Sequence, residues 1–385
     1  MSEHGPPPDV SSDEWEQWAE TVLDETEFDT ELGKRVGRDA RRVTAGDLSP
    51  EEFQERYHED LLEEFETDQR PTTPMPGSPD PGCGDGGCGA SDGTDDASRR
   101  TVLKAAGAAG LAAVGLSAVN YSATAVADGD DTGGEPDKRA GMVIDTERCI
   151  ACLQCMQACN EENNTSDGSL WSYVFRYQQD DYTDQEYYLS RPCQHCSNAP
   201  CINACPTASR FKRQEDGIVL TDYDRCTGCR YCEVSCPYGV NYLQWVEQNE
   251  FDGDREVDGR TVAGDPPRGV MGKCTFCIHR QVSDDEDLRG TTACEEVCPV
   301  DAIHFGDLED PDSDPRQHLE EKREASKFRM LEDANTRPNV IYIGNEPKMT
   351  YLERVDGPTT VEDAGLTMER PGRSVHDDGG EDDGE

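Results

Sequence analysis

Sixteen of the chain's 18 cysteines fall into four groups of four between residues 149 and 298. The groups are Cys149, Cys152, Cys155 and Cys159; Cys193, Cys196, Cys201 and Cys205; Cys226, Cys229, Cys232 and Cys236; and Cys274, Cys277, Cys294 and Cys298. The first and third groups have the spacing C-x2-C-x2-C-x3-C, while the second widens the middle gap to four residues and the fourth widens it to sixteen. Thiols at this density are typical of metal or cluster ligation, or of disulfides.

The spacing indicates iron–sulfur chemistry. Three cysteines separated by two residues can surround one small metal cluster with their thiolates. Proline follows the fourth cysteine in three of the four groups. In the bacterial ferredoxin pattern, that fourth cysteine ligates the other cluster of a pair. We therefore predict four [4Fe–4S] clusters with all sixteen cysteines as ligands. The spacing alone leaves open whether neighbouring or distant motifs exchange their fourth cysteine.

Two alternatives use the same thiols. Zinc requires two paired ligand sets per ion, so the third close cysteine of the first and third groups would have no role, but a zinc-binding structural protein stays the alternative from another class. Disulfides are disfavoured because C-x2-C loops are too short to link distant parts of a fold.

The elements that position the motifs are predicted to be short. Runs at 141–145, 173–177, 217–222 and 240–246 favour strands, 317–334 favours a polar helix, and 339–344 favours a strand. The stretches "MVIDTERCIACLQCMQAC" and "VLTDYDRCTGCRYCEVSC" also align as an internal repeat. The predicted fold class is α+β, with two pseudo-symmetric bacterial-type double-cluster ferredoxin modules with inserts, preceded by an acidic helical and disordered leader.

The domain organisation follows from composition. We predict an acidic N-terminal extension with a linker at 1–97, a signal-like segment at 98–127, the four-cluster domain at 128–316, a C-terminal helix and strand at 317–350, and an acidic disordered tail at 351–385. Within the extension, "SSDEWEQWAETVLDE" and residues 49–65 each favour a capped amphipathic helix. Ser49 is the predicted N-cap of the second helix, with Pro50 in its first turn.

Residues 98–127 resemble a twin-arginine export signal. Arg99 and Arg100 precede an apolar run that ends near Val119, and residues 125–127 form an A-x-A cleavage pattern. The run is short for a membrane span. We expect export by this route and a peripheral location on the outer face of the cytoplasmic membrane.

The charge balance is strongly acidic, with 82 acidic against 36 basic residues and a net charge of −46. Such a surface repels nucleic acid, so nucleic acid is excluded as a partner. It suits a protein that stays soluble in concentrated salt, where screening removes self-repulsion, and we expect an extreme halophile as the source. Hydrophobic residues make up only 34%, so a large conventional core is not expected.

Residues 140–310 and the strand "PNVIYIG" resemble the four-cluster electron-transfer subunit of the molybdopterin oxidoreductases, the dimethyl sulfoxide reductase-like group. The resemblance implies that the first motif pairs with the fourth and the second with the third. The implied ligand sets are Cys149, Cys152, Cys155 and Cys298; Cys274, Cys277, Cys294 and Cys159; Cys193, Cys196, Cys201 and Cys236; and Cys226, Cys229, Cys232 and Cys205. Nitrate reductase-type subunits replace one cysteine with tryptophan, whereas all sixteen positions are cysteine here.

The resemblance also implies a function. The chain would carry electrons in anaerobic respiration between a quinol-oxidising membrane anchor subunit and a molybdopterin-containing catalytic subunit, without catalysing a reaction on substrate itself. An iron–sulfur subunit of a membrane-bound hydrogenase or formate dehydrogenase is the alternative within the same class. The sequence contains no Gly-rich phosphate loop and no nucleophile–base constellation that would indicate an active site.

Several residues outside the ligand sets have open roles. Cys83 and Cys88 are either a metal-binding pair or incidental residues of a Gly-rich segment. His195 is either a Rieske-type ligand or an exposed loop residue, and the second is favoured. The ligand neighbours Arg230, Tyr231 and Lys273 either tune cluster potentials or are solvated at the surface.

Overall fold

The computed structural model describes residues 7–73, 136, 138–165, 170–178, 185–245, 256–264, 266–347 and 352–355. They belong to one compact unit formed by Met1–Pro79 and Gly133–Glu385, and the second unit, Asp80–Thr132, lies outside the described residues, as do the twin-arginine-like segment, Cys83 and Cys88. The helices of the described part are α1 (Asp13–Leu23), α2 (Thr30–Ala45), α3 (Pro50–Phe65), α4 (Gln154–Asn163), α5 (Pro200–Asn203), α6 (Tyr231–Ser235), α7 (Ile278–Gln281), α8 (Ala293–Glu296) and α9 (Asp314–Glu321). The strands are β1 (Ala140–Asp145), β2 (Tyr173–Gln178), β3 (Glu186–Arg191), β4 (Arg210–Lys212), β5 (Val219–Thr221), β6 (Tyr242–Leu243), β7 (Glu256–Val257), β8 (Arg260–Thr261), β9 (Met271–Gly272), β10 (Ile303–Asp307), β11 (Lys327–Phe328), β12 (Val340–Ile343) and β13 (Glu353–Arg354). No helix in these ranges combines the length and the apolar character needed to cross a bilayer.

A four-stranded sheet brings the two ends of the cysteine region together. Its strand order is β10-β1-β12-β11, with β1 antiparallel to β10 and parallel to β12. Alternate residues of β1 point to opposite faces, as strand geometry requires. Met142 and Ile144 therefore belong to the main core, whereas Val143 packs with Leu308 on the other face. Because the first motif follows β1 and the fourth precedes β10, the sheet holds these two motifs side by side.

The second and third motifs are joined by a short hairpin. β4 and β5 pair antiparallel, with Phe211 opposite Leu220. The second motif ends just before β4 and the third begins just after β5, so the hairpin brings the two motifs together. The short helices α5 and α6, one from each motif, are in contact.

The three N-terminal helices pack directly on this part of the molecule. Ser12 caps α1, and Ser49 with Glu52 forms the capping box of α3, which confirms both predicted helices. Their apolar residues share one core with Ala204, Tyr231 and Val234 of the second and third motifs. Neither α2 nor this contact was predicted from the sequence.

Helix α2 lies close against α6 because two of its residues are glycines. A Cβ atom at Gly37 would lie 2.7 Å from Val234 Cγ2, and one at Gly33 would lie 2.6 Å from Tyr231 Cε1. Both distances are shorter than normal carbon contacts, so larger residues would force the two helices apart. The glycines weaken the helix intrinsically, but they permit this close approach.

The predicted helix over 317–334 is wrong in its extent. Helix α9 ends at Glu321, and the chain then forms β11 and a 3-10 turn at Glu332–Ala334. Phe328 pairs with Tyr342 in the sheet and stacks on its ring at 5.1 Å. Burial of this aromatic pair outweighs the helix propensity of the polar residues around it. The strand predicted at 339–344 is present as β12.

Candidate functional site

All sixteen cysteines of the four motifs lie within the described residues, and none of them is in a disulfide. Each is buried or partly buried. Their positions show which sulfur atoms the fold brings together, and the sets draw residues from more than one motif.

Four cysteines of the second and third motifs line one cavity, which we call the Cys193 cavity. Its sulfur-bearing residues are Cys193, Cys196, Cys201 and Cys236. The empty space among the lining residues is about 330 Å³, including its opening. Pro200 and Pro237 line it next to two of these cysteines. The fourth cysteine of the third motif is therefore placed with the first three of the second motif.

The reciprocal set lines a second cavity, which we call the Cys226 cavity. Its sulfur-bearing residues are Cys205, Cys226, Cys229 and Cys232, and its volume is about 310 Å³, including its opening. Arg210 lines this cavity and donates a hydrogen bond from Nη2 to Cys232 Sγ at 3.4 Å. The two cavities thus exchange one cysteine each.

The first and fourth motifs approach one another in the same crossed manner. The pKa of Cys149 is raised to about 12, mainly by burial and in smaller part by the neighbouring Cys298 and Cys152. Burial also raises the pKa of Cys159 well above its usual value, with contributions from Cys274, Cys277 and Cys294. Cys298 is therefore close to the first motif, and Cys159 is close to the fourth.

Left-handed backbone conformations curl the motif loops. In the first motif Ala151 and Leu153 have φ of 55° and 59°, and the equivalent residues of the third motif, Gly228 and Arg230, have 72° and 63°. The internal repeat predicted from the sequence is thus present in the backbone. Glycine is needed at position 228 because a Cβ atom there would overlap the carbonyl oxygen of Gly269.

Backbone N–H groups point at the sulfur atoms from these loops. Ala302 donates to Cys298 Sγ at 3.2 Å, Met271 to Cys226 Sγ at 3.5 Å and Phe276 to Cys274 Sγ at 3.5 Å. Such donors stabilise a thiolate more than a neutral thiol.

These sulfur sets fit iron–sulfur clusters. Burial opposes the thiolate form, raising the pKa of Cys201 to about 12 and that of Cys277 to about 11. A metal centre supplies the positive charge that a buried thiolate lacks. Among the described side chains, no group of three or more Cys, His, Asp or Glu is arranged to hold a single metal ion. Three cysteines from one motif with the fourth from another match the ferredoxin pattern of a multi-iron cluster better than the paired ligand sets of one tetrahedral zinc ion.

His195, for which an exposed loop was favoured, and Arg230 and Lys273, for which surface solvation was one of two alternatives, are buried. His195 was expected in an exposed loop, but it is fully buried, stacks on Phe276 at 3.9 Å and accepts a hydrogen bond at Nδ1 from the Val219 N–H at 3.0 Å. Burial lowers its pKa well below the usual value. Surface solvation is also wrong for Arg230 and Lys273, each 2% exposed. Arg230 is paired with Glu233 and Glu25.

Tyr231 and two further arginines complete the surroundings of the sulfur sets. Tyr231 is fully buried and donates from its hydroxyl to the Asp29 carbonyl, which ties α6 to the N-terminal helices. Arg191 and Arg210 are buried beside the cysteines and were missed by the sequence analysis. The only signal for Arg191 was its position two residues before Cys193.

Comparison with known families assigns three parts of the chain. Residues 9–73 match the N-terminal region of 4Fe-4S ferredoxin iron–sulfur binding proteins. Residues 185–261 and 225–302 match two families of 4Fe-4S dicluster domains.

Similar proteins come from several organisms. The chain is 39% identical over 220 residues to an iron–sulfur subunit of the dimethyl sulfoxide reductase of Halobacterium salinarum, covering 54% of this chain and 79% of that one. It is 37% identical over 230 residues to the iron–sulfur cluster-binding subunit of menaquinone reductase of Nitratidesulfovibrio vulgaris, covering 53% and 88%. It is 34% identical over 233 residues to the iron–sulfur subunit of the arsenate respiratory reductase of a Shewanella species, covering 53% and 96%. From these similarities and the arrangement of its cysteines, the chain belongs to the family of iron–sulfur electron-transfer subunits of molybdopterin and menaquinol oxidoreductases.

Proposed function

We propose that this chain carries four [4Fe–4S] clusters and transfers electrons between a quinol-interacting membrane anchor subunit and a molybdopterin-containing catalytic subunit. The observation that carries the proposal is the exchange of cysteines between the Cys193 and Cys226 cavities, each lined by four sulfur atoms. The neighbourhoods of Cys149 and Cys159 support the same exchange between the first and fourth motifs. The two pairs make two double-cluster modules.

The clusters supply one-electron transfer when bound. The protein's part is to hold the sulfur atoms, to aim N–H donors at them and to exclude water from their surroundings. Because the Cys193 and Cys226 cavities are built from the same two motifs, their sulfur sets are neighbours, and this geometry suits passage of electrons between them.

Double substitutions test the proposed ligand sets. If Cys298 completes the Cys149 set, Cys149→Ser with Cys298→Ser removes one cluster, so the chain loses about four irons. Cys149→Ser with Cys294→Ser then removes two clusters and about eight irons. In the neighbouring arrangement, in which Cys298 binds with Cys226, both double variants lose two clusters and about eight irons. Iron and acid-labile sulfide analysis of anaerobically prepared protein distinguishes the two.

The partner proposal is supported by the names of the relatives, which are subunits of dimethyl sulfoxide, menaquinone and arsenate reductases. Purification of the tagged full chain from its own cells under anaerobic conditions tests it. We expect a molybdenum-containing subunit to co-purify in equal amount. Nickel in place of molybdenum would indicate the hydrogenase alternative, which these relatives do not favour. Absence of any metal-containing partner would contradict the proposal.

We also propose export through the twin-arginine route, on the pattern of Arg99, Arg100 and the apolar run that follows them. Replacing both arginines with lysine is expected to leave the protein in the cytoplasm, as measured by cell fractionation. An unchanged distribution would refute this route.

The net charge of −46 supports a halophilic source. Salt screens the repulsion among acidic side chains, so the unfolding temperature of the holoprotein should rise steeply with potassium chloride. A flat salt dependence would argue against this proposal.

A further inference from the structure

Arg191 is a buried cation without a counter-charge in the described part of the chain. Its side chain is 0% exposed, and none of its three guanidinium nitrogens has a hydrogen-bond partner there. The guanidinium lies over the Phe175 ring at 4.1 Å. Burial lowers its pKa, and Tyr242, Tyr342 and Cys236 offset this effect. Arginine nevertheless stays protonated in proteins. A buried charge without a partner is strongly destabilising, so another anion must balance it.

Arg210 approaches the Cys193 cavity from the hairpin. Arg210 is 2% exposed, and its Nη1 has no hydrogen-bond partner in the described chain. Burial opposes the charged form of Arg210, and two cysteines make the largest electrostatic contributions that raise its pKa. The first is Cys232 of the Cys226 cavity, and the second is Cys201 of the Cys193 cavity. It therefore stands between the two sulfur sets.

Lys273 also lies near the Cys193 cavity. Its Nζ donates to the carbonyl of Val219, which lines the Cys193 cavity, and to the Cys274 carbonyl at 3.0 Å. Burial lowers the pKa of Lys273, and the largest electrostatic contribution that opposes this effect comes from Cys193. Within the described residues, neither Lys273 nor Arg210 forms a salt bridge.

Other buried arginines of this acidic chain are paired with carboxylates. Arg213 contacts Asp216 and two further acidic residues, and Arg280 contacts Glu162 and Glu296. Within the described residues, the buried cations that lack a carboxylate partner, Arg191, Arg210 and Lys273, thus each interact with a cysteine of the Cys193 cavity, and Arg210 also donates to Cys232 of the Cys226 cavity.

The remaining sulfur sets have acidic groups near them. Beyond the larger effect of burial, the negative charge of Asp145 raises the pKa of Cys149. In the same way, Asp301 raises the pKa of Cys298, and Glu162 raises that of Cys277. Beside the Cys226 cavity, Arg230 is neutralised by Glu233 and Glu25.

We propose that Arg191, Arg210 and Lys273 raise the reduction potential of the cluster bound in the Cys193 cavity above those of the chain's other clusters. This inference rests on the proposed function, which places a cluster there. A cubane with four thiolate ligands is anionic, and one-electron reduction makes it more so. Nearby cations therefore stabilise the reduced form more than the oxidised form. Electrons that enter the chain would reduce this cluster first.

A redox titration of the full chain tests the proposal. The anaerobically purified holoprotein is reduced stepwise with dithionite in the presence of mediators, and cubane signals are followed by electron paramagnetic resonance. In Arg191→Met, the first cluster to be reduced should show at least a tenfold lower reduced-to-oxidised ratio at a fixed potential, equivalent to about 59 mV for one electron. Arg191→Lys should restore most of the difference, and Arg323→Met, an exposed arginine, should change nothing.

Arg210→Met adds a second criterion, because Arg210 faces two sulfur sets. It should shift two reduction steps, including the first, whereas Arg191→Met shifts one. A shift in a later step for Arg191→Met, or no shift, would overturn the inference. If Arg191→Met binds less iron than the unsubstituted chain, Lys273→Met provides the same test and must also lower the first step. Fewer than four cubane signals in the unsubstituted chain contradicts the proposed function instead.

Discussion

Replacing Arg41 with methionine tests how the N-terminal helices are held on the cysteine region. The Arg41 guanidinium donates to three carbonyl oxygens at the end of α6, with Nε to Ser235 at 2.9 Å and Nη2 to Val234 at 3.2 Å and to Cys236 at 3.0 Å. Methionine keeps the apolar stem but donates no hydrogen bond. The carbonyl oxygen of Cys236, a proposed ligand, therefore loses the hydrogen bond from Arg41.

The expected effect follows from these three bonds. A hydrogen bond to a charged group contributes about 1.5–3 kcal/mol, but the three bonds share one partly exposed guanidinium, so we expect about 2–4 kcal/mol in total. At about 1.4 kcal/mol per tenfold change, the population with detached helices should rise roughly 30- to 1000-fold.

Limited proteolysis measures this population, because cleavage of a transiently opened region follows its equilibrium opening. Cleavage in the loops at 24–29 and 46–49 is followed by mass spectrometry in the anaerobic holoprotein. Arg35→Met is the matched control, since Arg35 contacts Asp60 at 3.2 Å in an exposed pair and the Tyr57 ring at 5.6 Å, both within the N-terminal helices. Such pairs contribute about 0–1 kcal/mol, so the control should change cleavage less than about fivefold. Equal cleavage of the two variants would refute the role given to Arg41.

Two further predictions concern packing and charge. Glu162 holds Arg280 with two bonds of 2.6 Å, and although burial raises its pKa, Arg280 and His279 lower it to about 2. Glu162→Gln should therefore lower the free energy of unfolding of the holoprotein by about 1–3 kcal/mol, as measured by thermal unfolding. The control Glu296→Gln, at an exposed residue, should lower it by less than about 1 kcal/mol. Equal losses would contradict the role of Glu162 as the main partner of Arg280. Gly37→Val should accelerate cleavage of the N-terminal helices, because overpacking against α6 should destabilise their docked state by about 1–3 kcal/mol. The control Ala45→Val, at the exposed end of the same helix, should destabilise it by only about 0.5 kcal/mol. Unchanged cleavage in the glycine variant would show that α2 does not need its close approach.

The cysteines that the fold brings together, and five of the short strands (β1, β2, β5, β6 and β12), could be predicted from the sequence because their signals are local. The cysteine spacing identifies all sixteen residues that form the sulfur sets. Ser49 and Pro50 identify the start of α3. The crossed arrangement of the sets could not be derived locally, because it depends on the sheet that joins β1 to β10.

What escaped prediction depends on tertiary contacts. Charged residues such as Arg191 and Lys273 favour solvent as residue types, and only the neighbouring sulfur sets give them a reason to be buried. The role of Gly37 becomes visible only when α6 lies against it. The helix predicted beyond Glu321 failed because Phe328 gains more from stacking in the sheet than from continuing the helix.

Metal and sulfide analysis of the anaerobically purified full chain tests the central claim most directly. Sixteen cysteines in four sets of four predict about sixteen irons and sixteen acid-labile sulfides per chain, no zinc, and cubane signals in electron paramagnetic resonance after reduction. Protein that is colourless and holds zinc, or that has no labile sulfide, would contradict the account.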